Sequence, residues 1–329
     1  MKLVRTLVFI LVFALAVAVY LFQVRINQQA LKIVPDEVNR KVSLSKDDPI
    51  DRVELRDLVQ NSRIVLQKEK GAWMIEAPIH YPAEGSIVEG FAMAARMASQ
   101  QPRMRAEKEW GEYGLAKPEI EVSFGLSRKK SATLSLGASA PVGKAVFARW
   151  DEERGFFLLP PEMKSMFRKS VYELRQKSLF RTPVDKIRKV YVQMGKYSAE
   201  WKKDGDTWYW LEPVEEFGKK ITPEQMNLVL GALKSLHARE FLDANKKSRA
   251  ELGFFMIHDC IWVELEDGKK EAFYFGNEVP EENAYYGLLE GEQVVFFVDR
   301  VNVIGFFDLV RAIRAANPKP QPKDMTLKL

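Results

Sequence analysis

An unbroken apolar run over residues 6–24 is the first pattern along the chain. It contains no charged residue, and basic residues flank it on both sides. A transmembrane helix takes about 17–25 mostly apolar residues, because each residue rises ~1.5 Å through a hydrocarbon layer ~30 Å thick. The pattern therefore predicts one transmembrane helix over residues 6–24, with a cytoplasmic head at residues 1–5 and a linker at residues 25–48.

A cleaved signal peptide is the alternative for this run, because Ala16-Val17-Ala18 resembles a small-x-small cleavage site. The apolar run continues past that point through Val19-Tyr20-Leu21-Phe22, whereas a mature chain usually starts with polar residues. A retained anchor is therefore the favoured prediction. The short basic head favours a cytoplasmic N-terminus. In a bacterium this predicts a single-pass inner-membrane protein with its bulk in the periplasm.

Beyond the linker, apolar and polar residues alternate in segments typical of half-buried antiparallel strands. The first are residues 52–56, 63–68 and 72–76, and the last two flank a turn at Lys70-Gly71. Apolar residues then recur at helical spacing over residues 87–98. This order predicts a β-hairpin followed by an amphipathic helix.

The pattern then repeats. Residues 71–78 resemble residues 206–213, with Trp73 aligned on Trp208 at a shift of 135. A shift of 139 later holds without a gap and aligns two pairs of glycines, Gly114 with Gly253 and Gly137 with Gly276. A constant register that keeps both glycines and the alternation indicates an internal duplication.

Each copy continues with a helix, further strands and a closing helix. In the second copy, Thr222-Pro223-Glu224-Gln225 supplies an N-cap, a first-turn Pro and a capping-box Gln. Closing helices are predicted at residues 162–177 and 301–316. The fold class is therefore α+β: after the N-terminal transmembrane helix come two tandem repeats of an antiparallel-sheet unit with interspersed helices. We place the repeats at residues 49–181 and 184–316, and a loose tail at residues 317–329.

Composition and charge narrow the function classes. The 329-residue chain is 47% hydrophobic and 29% charged, as in globular proteins. Its net charge of +5 comes from scattered Lys and Arg, whereas nucleic-acid binders gather basic residues on one stripe. No nucleic-acid partner is therefore expected. The single cysteine, Cys260, excludes an intrachain disulfide and a cysteine-rich metal site.

No catalytic, cofactor-binding or metal-binding pattern stands out. The three histidines are isolated, and no phosphate-binding loop, dinucleotide fingerprint or nucleophile elbow is present. Cys260 begins an apolar strand, which favours an inert buried thiol. We therefore predict a protein that is not an enzyme and needs no cofactor. An enzyme of unfamiliar type is the alternative, and a cleft with converging buried carboxylates would favour it.

Aromatic residues are concentrated in the second copy. Alternation places Trp208 and Trp210 on the same face of one strand. Core packing is one interpretation. The other is an exposed aromatic patch that contacts a partner protein. The candidate partner-contact residues are Trp201, Trp208, Trp210, Trp262 and Tyr285.

The segment Glu112-Tyr113-Gly114-Leu115-Ala116-Lys117-Pro118, followed by Leu134-Ser135-Leu136-Gly137, resembles a bacterial family of domains of unknown function. The likeness covers the first copy from about Trp73 to Phe180, whereas Leu252-Gly253-Phe254 in the second copy lacks the proline. That family is usually membrane-anchored, and its genes commonly lie beside an ABC permease and a gliding-motility-type auxiliary subunit. The resemblance supplies no catalytic residue.

The resemblance therefore implies an ABC permease and its auxiliary subunits as partners. The expected function is a non-catalytic, membrane-tethered, extracytoplasmic accessory or scaffold subunit of an ABC-type transport system. The alternative is a cell-envelope or polysaccharide-binding module that works without a transporter.

Overall fold

The computed structural model describes residues 42, 44–45, 48–106, 108–126, 130–141, 143–151, 153–243, 246–254 and 259–316. The predicted transmembrane helix, the cytoplasmic head, most of the linker and the tail lie outside the described residues. Within these ranges no helix has the length and apolar character needed to cross a membrane. The chain divides into two compact units, one ending at Gln176 and the other beginning at Lys177.

The first unit is one antiparallel nine-stranded sheet with helices. Its strands pair in the order β4-β3-β2-β1-β6-β7-β8-β9-β5. The strands are β1 (Ile50–Asp57), β2 (Ser62–Glu69), β3 (Ala72–Ala77), β4 (Tyr81–Pro82), β5 (Met104–Arg105), β6 (Ile120–Leu126), β7 (Lys130–Ser139), β8 (Val146–Trp150) and β9 (Gly155–Leu159). The helices are α1 (Gly85–Ser99), α2 (Glu162–Phe167) and α3 (Val171–Leu174).

The second unit repeats this arrangement strand for strand, in the order β13-β12-β11-β10-β15-β16-β17-β18-β14. Its strands are β10 (Ile187–Met194), β11 (Tyr197–Asp204), β12 (Thr207–Glu212), β13 (Lys220–Ile221), β14 (Glu240–Phe241), β15 (Cys260–Leu265), β16 (Lys270–Val279), β17 (Ala284–Leu289) and β18 (Val295–Asp299). Its helices are α4 (Pro223–Lys234) and α5 (Arg300–Ala316). The identical order means that the fold is a two-sheet repeat, mostly β with some α.

The helices cover part of each sheet and complete its core. In the first unit, Phe91 of α1 lies 5.5 Å from Phe167 of α2, and Phe167 lies 6.3 Å from Phe124 of β6 (ring centroids). In the second unit, Phe307 of α5 lies 5.9 Å from Phe275 of β16. Burying apolar surface in this way is the main source of stability of each unit.

The predicted closing helix at residues 162–177 is wrong in its length. The helix ends at Phe167 because Arg168 leaves the helical region, with φ −84° and ψ 82°. Ser170 then begins α3 with a reciprocal capping box, in which its hydroxyl accepts from Glu173 N and its own N–H donates to the Glu173 carboxylate. A local cap therefore restarts a helix where periodicity alone predicted continuity.

The two compact units divide between Gln176 and Lys177. Leu179 and Phe180, which the prediction assigned to the first repeat, are buried in the hydrophobic core of the second unit. The backbone bonds Leu179 N to Leu236 O and Ala238 N to Lys177 O join this segment to the chain that follows α4.

The Tyr-Gly-Leu segment of the family resemblance is a packing motif. Tyr113 lies in an aromatic cluster, 4.6 Å from Phe156 and 5.1 Å from Phe147 between ring centroids. Gly114 has φ +68°, and a Cβ there would lie 2.5 Å from the backbone N of Ala138. Only glycine fits a left-handed backbone at so close an approach.

The second unit builds the same contact from different neighbours. Gly253 has φ +88°, and a Cβ there would lie 2.5 Å from the backbone N of Asn277. Asn277 N donates to the Leu252 carbonyl at 2.8 Å, as Ala138 N donates to the Tyr113 carbonyl at 2.9 Å in the first unit. In each copy the aligned glycine therefore allows the same close approach of two backbone segments, which we call the backbone crossing.

A half-buried carboxylate on the central strand β1, that of Glu54, is expected to make the first unit sensitive to acid. Glu54 accepts hydrogen bonds from Arg63 at 2.8 Å and Arg56 at 2.7 Å. The Arg63 hydrogen bond is the main cause that lowers the pKa of Glu54 from 4.5 to about 2. Because the folded-state pKa is depressed, the bond stabilises the fold above pH 4.5, and this contribution is lost as pH falls from 4.5 towards 2.

Glu54→Gln should therefore lose less stability than the parent protein over that pH window. The measurement is the free energy of unfolding by urea at several pH values. Glu69→Gln is the matched control, since Glu69 is exposed and makes no ion pair with any described residue. A Glu54→Gln profile that runs parallel to the parent's would contradict the assignment.

Candidate binding cavity of the second unit

An open cavity of about 560 Å³ lies beside the β12–β13 edge of the second unit, against the first turns of α4. Its size falls in the range of about 300–1,000 Å³ that is typical of small-molecule sites. Its apolar wall is formed by Trp208, Ile221, Met226 and Leu230. Its polar lining residues are Asp185, Lys203, Asp206, Thr207, Lys220, Thr222 and Asn227.

Local sequence explains how these walls form. The β11–β12 hairpin places Lys203 directly opposite Trp208, and β13 places Ile221 on the other side of Trp208. Thr222 then caps α4, because its hydroxyl accepts from Gln225 N and its own N–H pairs with the Gln225 side chain. This predicted capping box is confirmed. It sets the start of α4 and so turns Met226 and Leu230 towards the hairpin.

Trp208 forms part of the cavity wall. It is only 8% exposed, and its indole N–H finds no acceptor among the residues that the structure describes. Lys203, half-buried beside it, likewise has no carboxylate within ion-pairing distance in the described part of the chain. Both donors border the open cavity and have no acceptor in the described part of the chain, so an acceptor brought by a ligand can bind them there.

The first unit shows the same pair with an acceptor in place. Lys68 lies directly opposite Trp73 in the β2–β3 hairpin. Trp73 Nε1 donates to Glu89 Oε1 at 2.8 Å, and Lys68 Nζ lies 3.1 Å from the same oxygen. The Trp73 hydrogen bond, and then Lys68, hold the pKa of Glu89 below its usual range. In the first unit the Lys–Trp pair is therefore already bound by a carboxylate of the same chain, that of Glu89.

The helix caps identify the counterpart of Glu89 in the second unit. Glu84 is the N-cap of α1 and Thr222 is the N-cap of α4. Glu89 lies five residues after the first cap, and Asn227 lies five residues after the second. The second unit therefore keeps the Lys–Trp pair but has an uncharged amide at the position of the carboxylate.

Comparison with known proteins places the chain in a family. Residues 73–254, more than half of the chain, match a family described as a domain of unknown function (DUF4340). The chain belongs to the DUF4340 family. The match starts at Trp73 and ends at Phe254, partway through the second unit, so it extends well beyond the Phe180 limit expected from the resemblance. Comparisons with curated proteins and with solved structures gave no match.

The DUF4340 match contains the whole of α4 and the β11–β12 hairpin, and hence most of the cavity. It also contains Trp73 and Glu89 of the first unit. Among the described residues, no group of three or more His, Cys, Asp or Glu side chains is arranged to hold a metal ion.

The aromatic residues predicted to contact a partner are separated by the fold. Trp201 and Trp210 are fully buried, with ring centroids 4.9 Å apart, so the predicted exposed patch is wrong for these two. Their common face is the one that the core of the second unit covers. Trp208 is also largely buried, but its ring lines the cavity.

The other two predicted residues lie elsewhere. Trp262 is half-buried on β15, where it stacks on Tyr191 at 5.2 Å with Lys270 4.4 Å above its ring. Tyr285 is half-buried on β17, near Phe275. Their contact with a partner stays a prediction.

Sequence reasoning missed Lys203 and Asn227. Aligning the two copies could have found them, but the difference in residue number between the copies is not constant. It is 135 at Pro78 and Pro213 and 138 at Glu84 and Thr222. The three extra residues fall between β12 and β13, where the chain makes the turn Val214–Glu216. Counting from the helix N-caps, Glu84 and Thr222, shows that Glu89 and Asn227 occupy equivalent positions.

Proposed function

We propose that this DUF4340 protein is a non-catalytic, membrane-tethered accessory subunit of an ABC-type transport system, and that it docks a partner through the cavity of its second unit. One observation carries the docking step: Lys203 and Trp208 lack the acceptor that their counterparts Lys68 and Trp73 have in Glu89. A preformed cavity with unsatisfied donors is typical of a binding site.

The remaining parts of the proposal come from the sequence. The apolar run at residues 6–24 supports a membrane tether with the two units on the periplasmic side. The resemblance to a family encoded beside transporter genes supports an ABC permease or its auxiliary subunit as the partner. A tethered two-unit protein of this kind would act as a scaffold.

Site-specific photocrosslinking in native membranes tests the proposal. Benzoylphenylalanine placed at position 227, which is exposed at the cavity, is expected to crosslink to a subunit of an ABC permease. The same probe at position 89 in the first unit is the matched control and is expected to give little crosslinking. Mass spectrometry of the purified full-length protein identifies the crosslinked chain.

The outcomes separate the two parts of the proposal. Recovery of a permease with equal crosslinking at both positions would support the tethered accessory but overturn the cavity as the docking site. Crosslinks to envelope glycan alone, without a permease, would overturn the transporter reading in favour of a polysaccharide-binding module.

A further inference from the structure

The first unit contains a template for what the cavity holds. Trp73 Nε1 and Lys68 Nζ converge on one oxygen of Glu89, at 2.8 and 3.1 Å. A neutral N–H and an ammonium group directed at one atom form a receptor for a carboxylate oxygen, because both bonds are strengthened by the negative charge of the acceptor. The acceptor here is an acidic side chain of the same chain.

The second unit presents the same two donors without that acceptor. Trp208 is 8% exposed, its indole N–H is not among the fully buried donors of the described residues, and none of those residues accepts it. The side chain of Asn227 is one carbon shorter than that of glutamate and carries no charge, and it makes no hydrogen bond with Trp208 or Lys203 in the described structure. The free volume beside the donors is the cavity itself.

We infer that the cavity receives one carboxylate from an acidic side chain of a partner polypeptide, held between the Trp208 indole N–H and the Lys203 ammonium group. The bound carboxylate takes the place that Glu89 takes in the first unit. This inference rests on the proposed function only in treating the cavity as the docking site, and it names the chemical group that docks.

The charges around the cavity favour a ligand with a single negative charge over a polyanion. Lys203 and Lys220 are balanced by Asp185 and Asp206, so the lining as a whole carries no net charge. A lining without net charge offers a polyanion no net attraction, whereas one carboxylate at the Lys–Trp pair is bound by local hydrogen bonds.

The apolar wall favours a polypeptide over a glycan. Ile221, Met226 and Leu230 lie beside the donor pair, and an apolar residue next to the acidic one would bury surface against them. A hydroxyl-rich uronic acid would instead leave polar groups against this wall. The preferred ligand is therefore an acidic residue flanked by neutral or apolar residues.

Nuclear magnetic resonance of the full-length protein in detergent, with ¹⁵N-labelled tryptophan, tests the inference. The Trp208 indole resonance is assigned from its loss in Trp208→Phe. Acetyl-glutamate-leucine-amide is expected to shift this resonance saturably, and the matched acetyl-glutamine-leucine-amide is not. Lys203→Gln should weaken the binding roughly ten- to hundredfold, as expected for the loss of one charge-assisted bond.

A variant that supplies the carboxylate within the chain gives an independent test. Asn227→Glu should shift the Trp208 indole resonance without any ligand and abolish the response to acetyl-glutamate-leucine-amide. Asn227→Gln has nearly the same size and is the control that should do neither. Because position 227 is exposed, both variants are expected to fold.

Three results would overturn the inference. The first is an equal response to the glutamate and glutamine probes. The second is a Trp208 resonance that does not move in Asn227→Glu. The third is a stronger response to glucuronic acid than to acetyl-glutamate-leucine-amide, which would assign the carboxylate to a glycan. If these tests succeed while the crosslinking finds no permease, the carboxylate receptor stands and the transporter proposal fails.

Discussion

Gly276→Ala is expected to destabilise the second unit by about 3 kcal/mol or more, because the added methyl group would meet backbone that cannot move aside. A Cβ at this position would overlap the Leu252 carbonyl oxygen and would also lie 3.0 Å from Phe254 and from Tyr286. The Leu252 carbonyl is held in place by its bond from Asn277 N. The measurement is the midpoint and slope of urea unfolding of the full-length protein.

Gly231→Ala is the matched control in the same unit. Gly231 is an exposed residue of α4, and a Cβ there would have no heavy atom within 4 Å. Alanine should stabilise this helix by about 0.5–1 kcal/mol, since it lowers the entropy of the unfolded chain. If the two variants changed stability by similar amounts, the backbone crossing at Gly276 would be refuted.

Glu153→Ala is expected to destabilise the first unit by about 3–5 kcal/mol, because it would leave the largely buried charge of Arg103 without its carboxylate, with the Ser99 and Gln101 carbonyls as the remaining acceptors. Glu153 is 2% exposed and accepts from Arg103 Nε at 2.5 Å and from Val42 N at 3.1 Å. The guanidinium of Arg103 also lies 4.5 Å from the centre of the Phe157 ring. Urea unfolding of the purified variant measures the loss.

The double variant Arg103→Met with Glu153→Leu should recover most of that loss, because apolar residues of similar size remove both buried charges together. Glu112→Ala is the surface control. Its pair with Lys108 has an N···O distance of 3.9 Å between largely exposed side chains, so its removal should cost no more than a few tenths of a kcal/mol. A double variant as unstable as Glu153→Ala would show that the cost arises from packing.

The family-like motif and the candidate site turn out to be different parts of the molecule. Tyr113 and Gly114 shape an aromatic cluster and a backbone crossing in the first unit. The cavity instead depends on Lys203, Trp208 and Asn227 in the second. A motif that marks the fold therefore gave no information on where a ligand binds.

Much of the fold followed from the sequence because its causes are local. Alternation identified the long strands, since neighbouring side chains of a strand point to opposite faces. The capping box at Thr222 placed the start of α4 within a residue. The two-residue strands β4, β5, β13 and β14 were missed, because two residues carry no readable period.

The sequence by itself determined that the chain is duplicated, that each copy is an antiparallel sheet with helices, and which face of each strand is apolar. The tertiary structure decided which residues of the core also border a cavity. Trp208 and Trp210 share one face of β12, yet Trp210 packs on Trp201 while Trp208 borders the cavity. The reason is physical: alternation sets the direction of a side chain, but what lies opposite it depends on where a distant helix packs, and α4 carries Asn227 where α1 carries Glu89.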